Sequence, residues 1–479
     1  MGSFGCELVS LEQAREFVGW YTRQVCERSD ALTPVVTILD DADLASSVGV
    51  AAAALRAARH ATPVDIAGDE AWGAVLCPVT GVPAAGSVLT SRVGSASLSA
   101  RSAEVIAAER LGRDWHAAQQ ARAVPRESGE RLLLPTRLDE LGREMGESSK
   151  LAVVVADLNG VGALLSAVPG DRLAEAGLAL SALTEAWCDA LVGLVCEKVR
   201  FDGDRALLGA DAQGVDGAVS PVVLAAARVP GDGREPRWFL PLRPWVSAGD
   251  DVVMVCESRL AWWLAEQMVC WLDATAVDAE DPRARVDAVL GQRPTVSIGI
   301  AVVPVGVSLS KGHALALQVC ERAKRKAHAT SDAGGDCHGL DWHRGVLDAQ
   351  SVSEYRDRRQ VAGQHSTVRP FVWSRDLPEA GFAAFVDRWL GPGEQSLRGE
   401  LWSGLRSTVR DTLLTAVTRN SHTADDADTS SEALREALEQ LNARRRTLHR
   451  APVELPDDTA MAAAFLDALD LRDEYLRVS

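Results

Sequence analysis

An uninterrupted apolar β-strand that ends in an aspartate is the feature that most constrains the fold of this 479-residue chain. Residues 150–156 read KLAVVVA, and the apolar residues after Lys150 do not alternate with polar ones. A short continuous apolar run is typical of a strand that is covered on both faces. The sequence therefore predicts a central sheet strand with Asp157 at its end.

A second acidic site lies at the tip of a predicted β-hairpin. Two short β-rich runs, 244–247 and 252–256, are joined by a tight turn that contains Asp250 and Asp251. The other elements predicted around them are helix 171–199, helix 258–272, strand 294–303, helix 312–329 and a strand that starts near Leu340. These strands and helices together predict an α+β fold in which an antiparallel sheet is flanked by helices.

The two acidic sites suggest metal-assisted phosphoryl chemistry. A carboxylate at a strand end and two at a nearby hairpin tip can hold two Mg²⁺ ions, which take carboxylate and phosphate oxygens as ligands. Gly160 and Gly162 follow Asp157 closely and would let backbone N–H groups approach a triphosphate. The alternative is structural, with Asp157 as a helix cap and the hairpin pair as turn residues.

Composition excludes several classes of protein. The net charge is −17, whereas a protein that coats duplex nucleic acid is normally basic, so any RNA contact must use a local basic patch. The nine cysteines form no CxxC pair, which argues against a disulfide scaffold or a four-cysteine zinc site and favours the cytoplasm. The apolar stretch 176–196 is interrupted by Glu185 and Asp189, and residues 1–10 lack a signal-peptide pattern, so neither a membrane span nor secretion is expected.

The chain resembles the closing half of GGDEF-type nucleotidyl cyclase domains. Residues 295–299 read TVSIG, as the strand of that domain does, and Ala316, Ala323 and Lys324 match the helix that follows it. Asp157 matches the first metal-binding aspartate, and residues 249–251 match the signature hairpin, here GDD with Ala248 in place of its first glycine.

Other residues resemble one branch of this superfamily, the second palm domain of the large polymerase/cyclase subunit of type III CRISPR complexes. Residues 160–164 stand where diguanylate cyclases carry a phenylalanine-lysine and a guanine-reading asparagine-aspartate. The run 241–268, with its GDD, and the segments 339–345 and 369–377 are similar to that subunit. The resemblance implies ATP as the substrate and a cyclic oligoadenylate as the product, in CRISPR-type antiviral defence.

The resemblance implies a ferredoxin-like palm whose antiparallel sheet is flanked by helices. It also implies roles for individual residues. Asp157, Asp250 and Asp251 would bind Mg²⁺ or Mn²⁺, and Asp250 and Asp251 would be catalytic because their metal ions activate the attacking hydroxyl. Ser297 is either a base-pocket hydroxyl or a strand serine satisfied by its own backbone, and Lys324 is either a triphosphate contact or part of a solvated helix face. The residues implied to bind nucleotide are Leu158, Asn159, Gly160, Val161, Gly162, Gly249, Ser297 and Lys324.

Two other functions stay open at this point. A palm with an altered signature could be a scaffold that binds ATP or RNA beside other proteins of a CRISPR-like complex, and a divergent diguanylate cyclase is the third possibility. Because GGDEF-like cyclases work as two facing palms and one convincing palm is recognisable here, the resemblance also favours a homodimer.

Four regions are predicted along the chain. The palm occupies 148–345. Residues 1–75 form a small α/β unit that could be a degenerate second palm, 76–147 holds a linker and helices, and 346–479 is a helical C-terminal domain, best described as a bundle. An acidic cluster in the first region, Asp40, Asp41 and Asp43, is interpreted as helix capping rather than as a metal site.

Overall fold

The computed structural model divides the chain into two compact units, Met1–Ala121 with Ser166–Leu173, and Arg122–Leu165 with Ala174–Ser479. The structure describes residues 10–28, 86–92, 95–101, 103–125, 131–141, 150–209, 221–227, 236–330, 337–347, 351–357, 360–361, 364–365, 367–375 and 381–391, and scattered positions between 439 and 478.

A six-stranded sheet forms the centre of the second unit. Its strands are β1 (Lys150–Leu158), β2 (Leu242–Ala248), β3 (Asp251–Glu257), β4 (Val296–Pro304), β5 (Cys337–Arg344) and β6 (Phe371–Ser374). They lie in the order β2-β3-β1-β4-β5-β6. The first four are antiparallel neighbours, β5 joins β4 in parallel, and β6 is antiparallel to β5.

The helices complete the predicted palm. Those of the second unit that accompany the sheet are α1 (Leu173–Lys198), α2 (Ala261–Asp273), α3 (Pro282–Leu290) and α4 (Leu309–Thr330). The chain order β1-α1-β2-β3-α2-β4, with the spatial order β4-β1-β3-β2, is the ferredoxin-like arrangement. The predicted α+β fold is therefore confirmed, and β5 and β6 extend its antiparallel sheet by a parallel step.

Both faces of the sheet are covered, as the apolar sequence of β1 predicts. Val153 and Val155 of β1 pack in one apolar cluster with Ala316 and Val319 of α4. The alternate residue Val154 is equally buried on the opposite face, where α2 lies against β1 and β4. Side chains alternate between the faces of a strand, so this double burial explains why β1 carries no polar residue between Lys150 and Asp157.

Helix α1 owes its apolar sequence to packing within the second unit. In the part of the chain that the structure describes, Gly170–Lys198 is the single helical stretch long and apolar enough to cross a membrane. Its Leu183 and Trp187 are fully buried, and the Trp187 indole donates a hydrogen bond to the Met268 carbonyl of α2 at 3.0 Å. A core helix therefore accounts for this segment without a membrane.

Two close approaches bring α4 down onto the sheet. A side chain on Gly299 of β4 would collide with the Ala316 carbonyl and the backbone of Cys320. A side chain on Gly339 of β5 would stand 2.9 Å from the Ala323 carbonyl oxygen. Glycine at both positions lets the helix backbone lie against the strands, which fixes the height and register of α4.

The remaining described elements are short or lie in the first unit. The first unit contains helix Leu11–Arg28 and a hairpin of Gly86–Arg92 with Ser95–Arg101, which lies in the region predicted to hold a linker and helices. Helix Ala103–Ala123 follows this hairpin. The other described elements, all beyond residue 130, are strands Leu132–Leu133, Arg200–Asp202, Arg205–Leu208, Val222–Val223, Ala226–Ala227, Arg237–Phe239, Gln360–Val361 and Gln364–His365, and helices Val161–Ala167, Val352–Asp357 and Phe382–Leu390.

Several predicted features fall on residues that the structure does not describe. These are residues 29–75 of the predicted α/β unit, which include the acidic cluster of Asp40, Asp41 and Asp43, and residues 392–438 of the predicted helical C-terminal domain. The interpretation of that cluster as helix capping stays a prediction.

Candidate active site at the end of the palm sheet

Three polar side chains stand in one row across the sheet. Asp251 of β3 pairs with Asp157 of β1, which pairs on its other side with Ser297 of β4. Directly paired residues of neighbouring strands project from the same face of a sheet. Because Val155 and Val253, two residues away, pack with α4, the row lies on the α4 face.

Lys324 of α4 is bound to the central member of this row. Its ammonium nitrogen lies 2.8 Å from Oδ1 and 2.8 Å from Oδ2 of Asp157, so it donates to both carboxylate oxygens. The side chains are 25% and 18% exposed, so the pair is partly withdrawn from water. Lys324 follows Ala323, which packs on Gly339, and the close seating of α4 thus delivers the ammonium to the end of β1.

The carboxylates at this end of the sheet disfavour one another's ionisation. Burial raises the pKa of Asp157 from 3.8 to about 6; Lys324 opposes this effect, and the negative charges of Asp250 and Asp251 add to it. Burial and then Asp250 also raise the pKa of Asp251. The pKa of Lys324 is raised too, because the attraction of Asp157 outweighs the effect of burial. The site is thus short of positive charge.

The hairpin that carries Asp250 and Asp251 has a tight turn at its tip and is hydrogen-bonded to β1. Gly249 and Asp250 form its two-residue loop, and Gly249 has a φ of 65°, a left-handed conformation that glycine adopts without strain. The Asp250 carbonyl accepts a hydrogen bond of 3.1 Å from the Leu158 N–H. Ala248, which replaces the first glycine of the signature, is instead a strand residue paired with Asp251. The replacement therefore falls where the backbone is extended.

The segment after Asp157 mostly turns its side chains into the protein. Leu158, Asn159 and Val161 are buried. The Asn159 amide nitrogen donates to Thr295 Oγ1 at 3.2 Å and to the Cys337 carbonyl at 3.1 Å. The Asn159 side chain thus ties the end of β1 to the start of β5 and to the residue before β4. Because all three side chains are buried, a nucleotide could contact these residues only through their backbone.

Ser297 is fully buried as well. Its hydroxyl donates a hydrogen bond of 2.9 Å to Oδ1 of Asn159. This corrects both sequence interpretations of Ser297: its hydroxyl is neither open to a nucleobase nor satisfied by its own backbone. The hydroxyl instead joins β4 to the end of β1.

Gly160, Gly162 and Gly249, which are predicted to bind nucleotide, differ in backbone conformation and in the space beside them. Gly160 has a φ of 74°, so a larger residue would be strained there. A Cβ atom on Gly162 or Gly249 would meet nothing within 4 Å. Open space therefore lies beside the backbone of these two residues.

The donor set suits a divalent cation that also binds phosphate. Within the described ranges, no three His, Cys, Asp or Glu side chains come together as a metal-binding group. Mg²⁺ in nucleotide sites is commonly held by one or two carboxylates together with phosphate oxygens and water. The paired carboxylates of Asp157 and Asp251 meet that requirement in chemistry and charge. In this structure, the Lys324 ammonium is hydrogen-bonded to Asp157.

Sequence reasoning missed two neighbours of this site. His313, in the first turns of α4, lies close enough to Asp251 to lower the pKa of that carboxyl. Trp245 of β2 contacts the His313 ring edge-on, with ring centroids 5.7 Å apart. Neither residue belongs to a motif, and only the packing of α4 beside β2 reveals them. His343 of β5 is buried.

Comparison with known proteins gives matches among solved structures. No protein-family model matches the chain, and no curated protein matches it. A Csm1-Csm4 cassette in complex with pppApApA is 12% identical, with a TM-score of 0.35, over 70% of this chain and 38% of that chain. The cassette with cA4 is 13% identical, with a TM-score of 0.32, over 69% and 37%.

A third structure extends the same comparison. The Csm1-Csm4 subcomplex of the type III-A CRISPR-Csm interference complex is 13% identical, with a TM-score of 0.29, over 69% of this chain and 37% of that chain. The chain thus spans less than two-fifths of the length of each of these three matched chains.

Proposed function

We propose that this chain is a palm-type nucleotidyltransferase that joins ATP into a cyclic oligoadenylate second messenger. One observation carries the proposal: the palm sheet sets Asp251 directly beside Asp157, and α4 brings the Lys324 ammonium to the same carboxylate. Two carboxylates beside an ammonium suit a metal-bound polyphosphate, because the acids can hold the cation while the ammonium meets phosphate oxygens.

The proposed metal ligands are Asp157 and Asp251, with Asp250 beside them at the hairpin tip. Mg²⁺ or Mn²⁺ bound there would neutralise the leaving pyrophosphate and activate the attacking hydroxyl. Lys324 would bind phosphate oxygens. The open space beside the Gly162 and Gly249 backbone would let a triphosphate approach.

The proposed reaction is a nucleotidyl transfer between two ATP molecules. A ribose hydroxyl of one ATP forms a bond to the α-phosphorus of the other, the bond to pyrophosphate breaks, and the hydroxyl proton passes to solvent. Adenine is favoured over guanine by the sequence, since residues 160–164 lack the pair that reads guanine in diguanylate cyclases. We place this activity in the cytoplasm, in CRISPR-type antiviral defence with RNA or other proteins of such a complex as partners.

A second candidate function is a catalytically weak palm scaffold that binds ATP or RNA. The observation that favours it is the ion pair itself, because Lys324 occupies both oxygens of the carboxylate that a metal ion would need. In a scaffold this pair would be permanent, whereas in the enzyme it must open when the substrate binds.

Product analysis distinguishes these functions. The purified chain is incubated with ATP or GTP and Mn²⁺, and its products are identified by mass spectrometry beside an Asp250→Ala/Asp251→Ala variant. The enzyme should release pyrophosphate from ATP and form cyclic oligoadenylate, and the variant should form neither. Pyrophosphate release from neither nucleotide would support the scaffold, and cyclic diguanylate from GTP would show a diguanylate cyclase.

A further inference from the structure

We propose that Lys324 acts as a built-in counter-ion that excludes free metal ions from Asp157 and admits them only together with a nucleotide. The inference rests on the proposed function and adds the order in which the ligands bind. It assigns Lys324 a positioning role before the substrate arrives, in addition to the phosphate contact.

The geometry of the ion pair supports this competition. Lys324 donates to both oxygens of Asp157 at 2.8 Å, so a metal ion could bind that carboxylate only by weakening or displacing these contacts. The two side chains are 25% and 18% exposed. An ammonium displaced in such a partly buried place would lose its hydrogen bonds without full access to water, and a free metal ion would have to offset that loss.

The neighbouring basic residues of α4 are engaged elsewhere. Lys326, two residues along, donates to the Pro370 carbonyl oxygen at 2.7 Å. Arg322 forms an ion pair with the buried Asp341 and donates to Ser353 Oγ at 3.0 Å. These contacts hold α4 to β5 and to the segments that contain Ser353 and Pro370. Of these three basic residues, Lys324 is the one whose side chain reaches the acidic row.

A nucleotide removes the obstacle to metal binding. Its triphosphate offers the ammonium several anionic oxygens and so replaces the contacts that Lys324 makes with Asp157. The released carboxylate and Asp251 can then hold the cation that the phosphates bring with them. Metal and nucleotide should therefore bind cooperatively, and the cooperativity should depend on the Lys324 charge.

Mn²⁺ binding measured by electron paramagnetic resonance tests the proposal without any turnover. Wild type, Lys324→Met and Lys324→Gln are titrated with Mn²⁺ alone, and Lys311→Met provides the matched control because Lys311 is an exposed lysine of the same helix. Loss of the Lys324 charge should tighten Mn²⁺ binding at least about tenfold, and Lys311→Met should leave it unchanged. Lys324→Gln keeps a hydrogen-bond donor and serves if Lys324→Met does not fold.

Asp157→Asn in the Lys324 variant should abolish the gain, which assigns the tightened site to this carboxylate. Equal Mn²⁺ affinity in wild type and in the folded Lys324 variants, whether strong or weak, would overturn the proposal. Such a result would leave the nucleotidyltransferase function to be judged by the product assay. A wild-type protein that forms no product, but whose Lys324 variants bind Mn²⁺ more tightly, would contradict the function and retain the counter-ion role.

Discussion

Asp157 combines partial burial with neighbouring negative charges. It ends a strand whose preceding six residues are buried, and its carboxylate lies beside two further acids at the hairpin tip. Burial, with a smaller effect from these two negative charges, raises the pKa of Asp157 to about 6, although Lys324 lowers it. A carboxylate whose pKa is raised by burial and by neighbouring negative charges is typical of a functional site.

The raised pKa of Asp157 predicts a loss of stability as the pH rises. Between its unfolded value of 3.8 and about 6, the folded chain keeps a proton that the unfolded chain releases, so the free energy of unfolding falls as pH rises through this window. From pH 4.5 to 7 this group should contribute a loss of about 2 kcal/mol. Urea denaturation should show that loss in wild type and a correspondingly smaller one in Asp157→Asn, and parallel curves for the two proteins would contradict the account.

Sequence could predict the acidic residues of this site but not the state of its other side chains. A position at a strand end identifies Asp157 as a candidate, and a position at a hairpin tip identifies Asp250 and Asp251. Ser297 and Asn159 look equally functional in the sequence, yet their mutual hydrogen bond is buried. Burial of a polar residue at a strand end depends on which strands become neighbours, and a local pattern does not contain that information.

At the scale of elements, the site depends on how closely α4 approaches the sheet. Gly299→Ala would place a methyl group against the Ala316 carbonyl and the Cys320 backbone. We expect this change to destabilise the fold by about 1–3 kcal/mol or more and to move Lys324 from Asp157. Gly306→Ala is the control, because a Cβ atom there would meet nothing within 4 Å. Thermal unfolding of both variants checks the prediction, which equal melting temperatures would refute.

The hairpin allows a separate prediction about the altered signature. Ala248 is the last residue of β2 and pairs with Asp251, and the left-handed position of the turn belongs to Gly249. Restoring the first glycine with Ala248→Gly should therefore leave nucleotide turnover within about twofold and reduce stability by about 0.5–1 kcal/mol. Activity gained severalfold by this change would show that Ala248 weakens the site.

At the scale of the whole molecule, sequence could predict the palm itself because its strands and helices alternate with clear periodicities. The addition of β5 in parallel and of β6 in antiparallel orientation is harder to predict from sequence. Strand β6 is short and half-buried, and its pairing with β5 comes from tertiary packing. The hairpin of Gly86–Arg92 with Ser95–Arg101 was hidden by a Ser- and Gly-rich sequence with weak strand propensity.

The proposed transfer between two nucleotides predicts that the protein works as a pair. The described residues contain one palm sheet, and a second palm, from another copy of the chain, would present the second ATP. Specific activity should therefore rise with protein concentration until dimers predominate, as followed by size-exclusion chromatography and activity titration. A strictly monomeric protein whose specific activity does not change with concentration would exclude this arrangement.

The central claim is that Asp157, Asp251 and Lys324 form one site for a metal-bound nucleotide. The most direct measurement is the anomalous scattering of Mn²⁺ in crystals of the protein grown with Mn²⁺ and a non-hydrolysable ATP analogue. We expect a manganese peak within coordination distance of Asp157 and Asp251, with the Lys324 ammonium on phosphate oxygens. Manganese and analogue bound elsewhere, with Lys324 still paired to Asp157, would contradict the account.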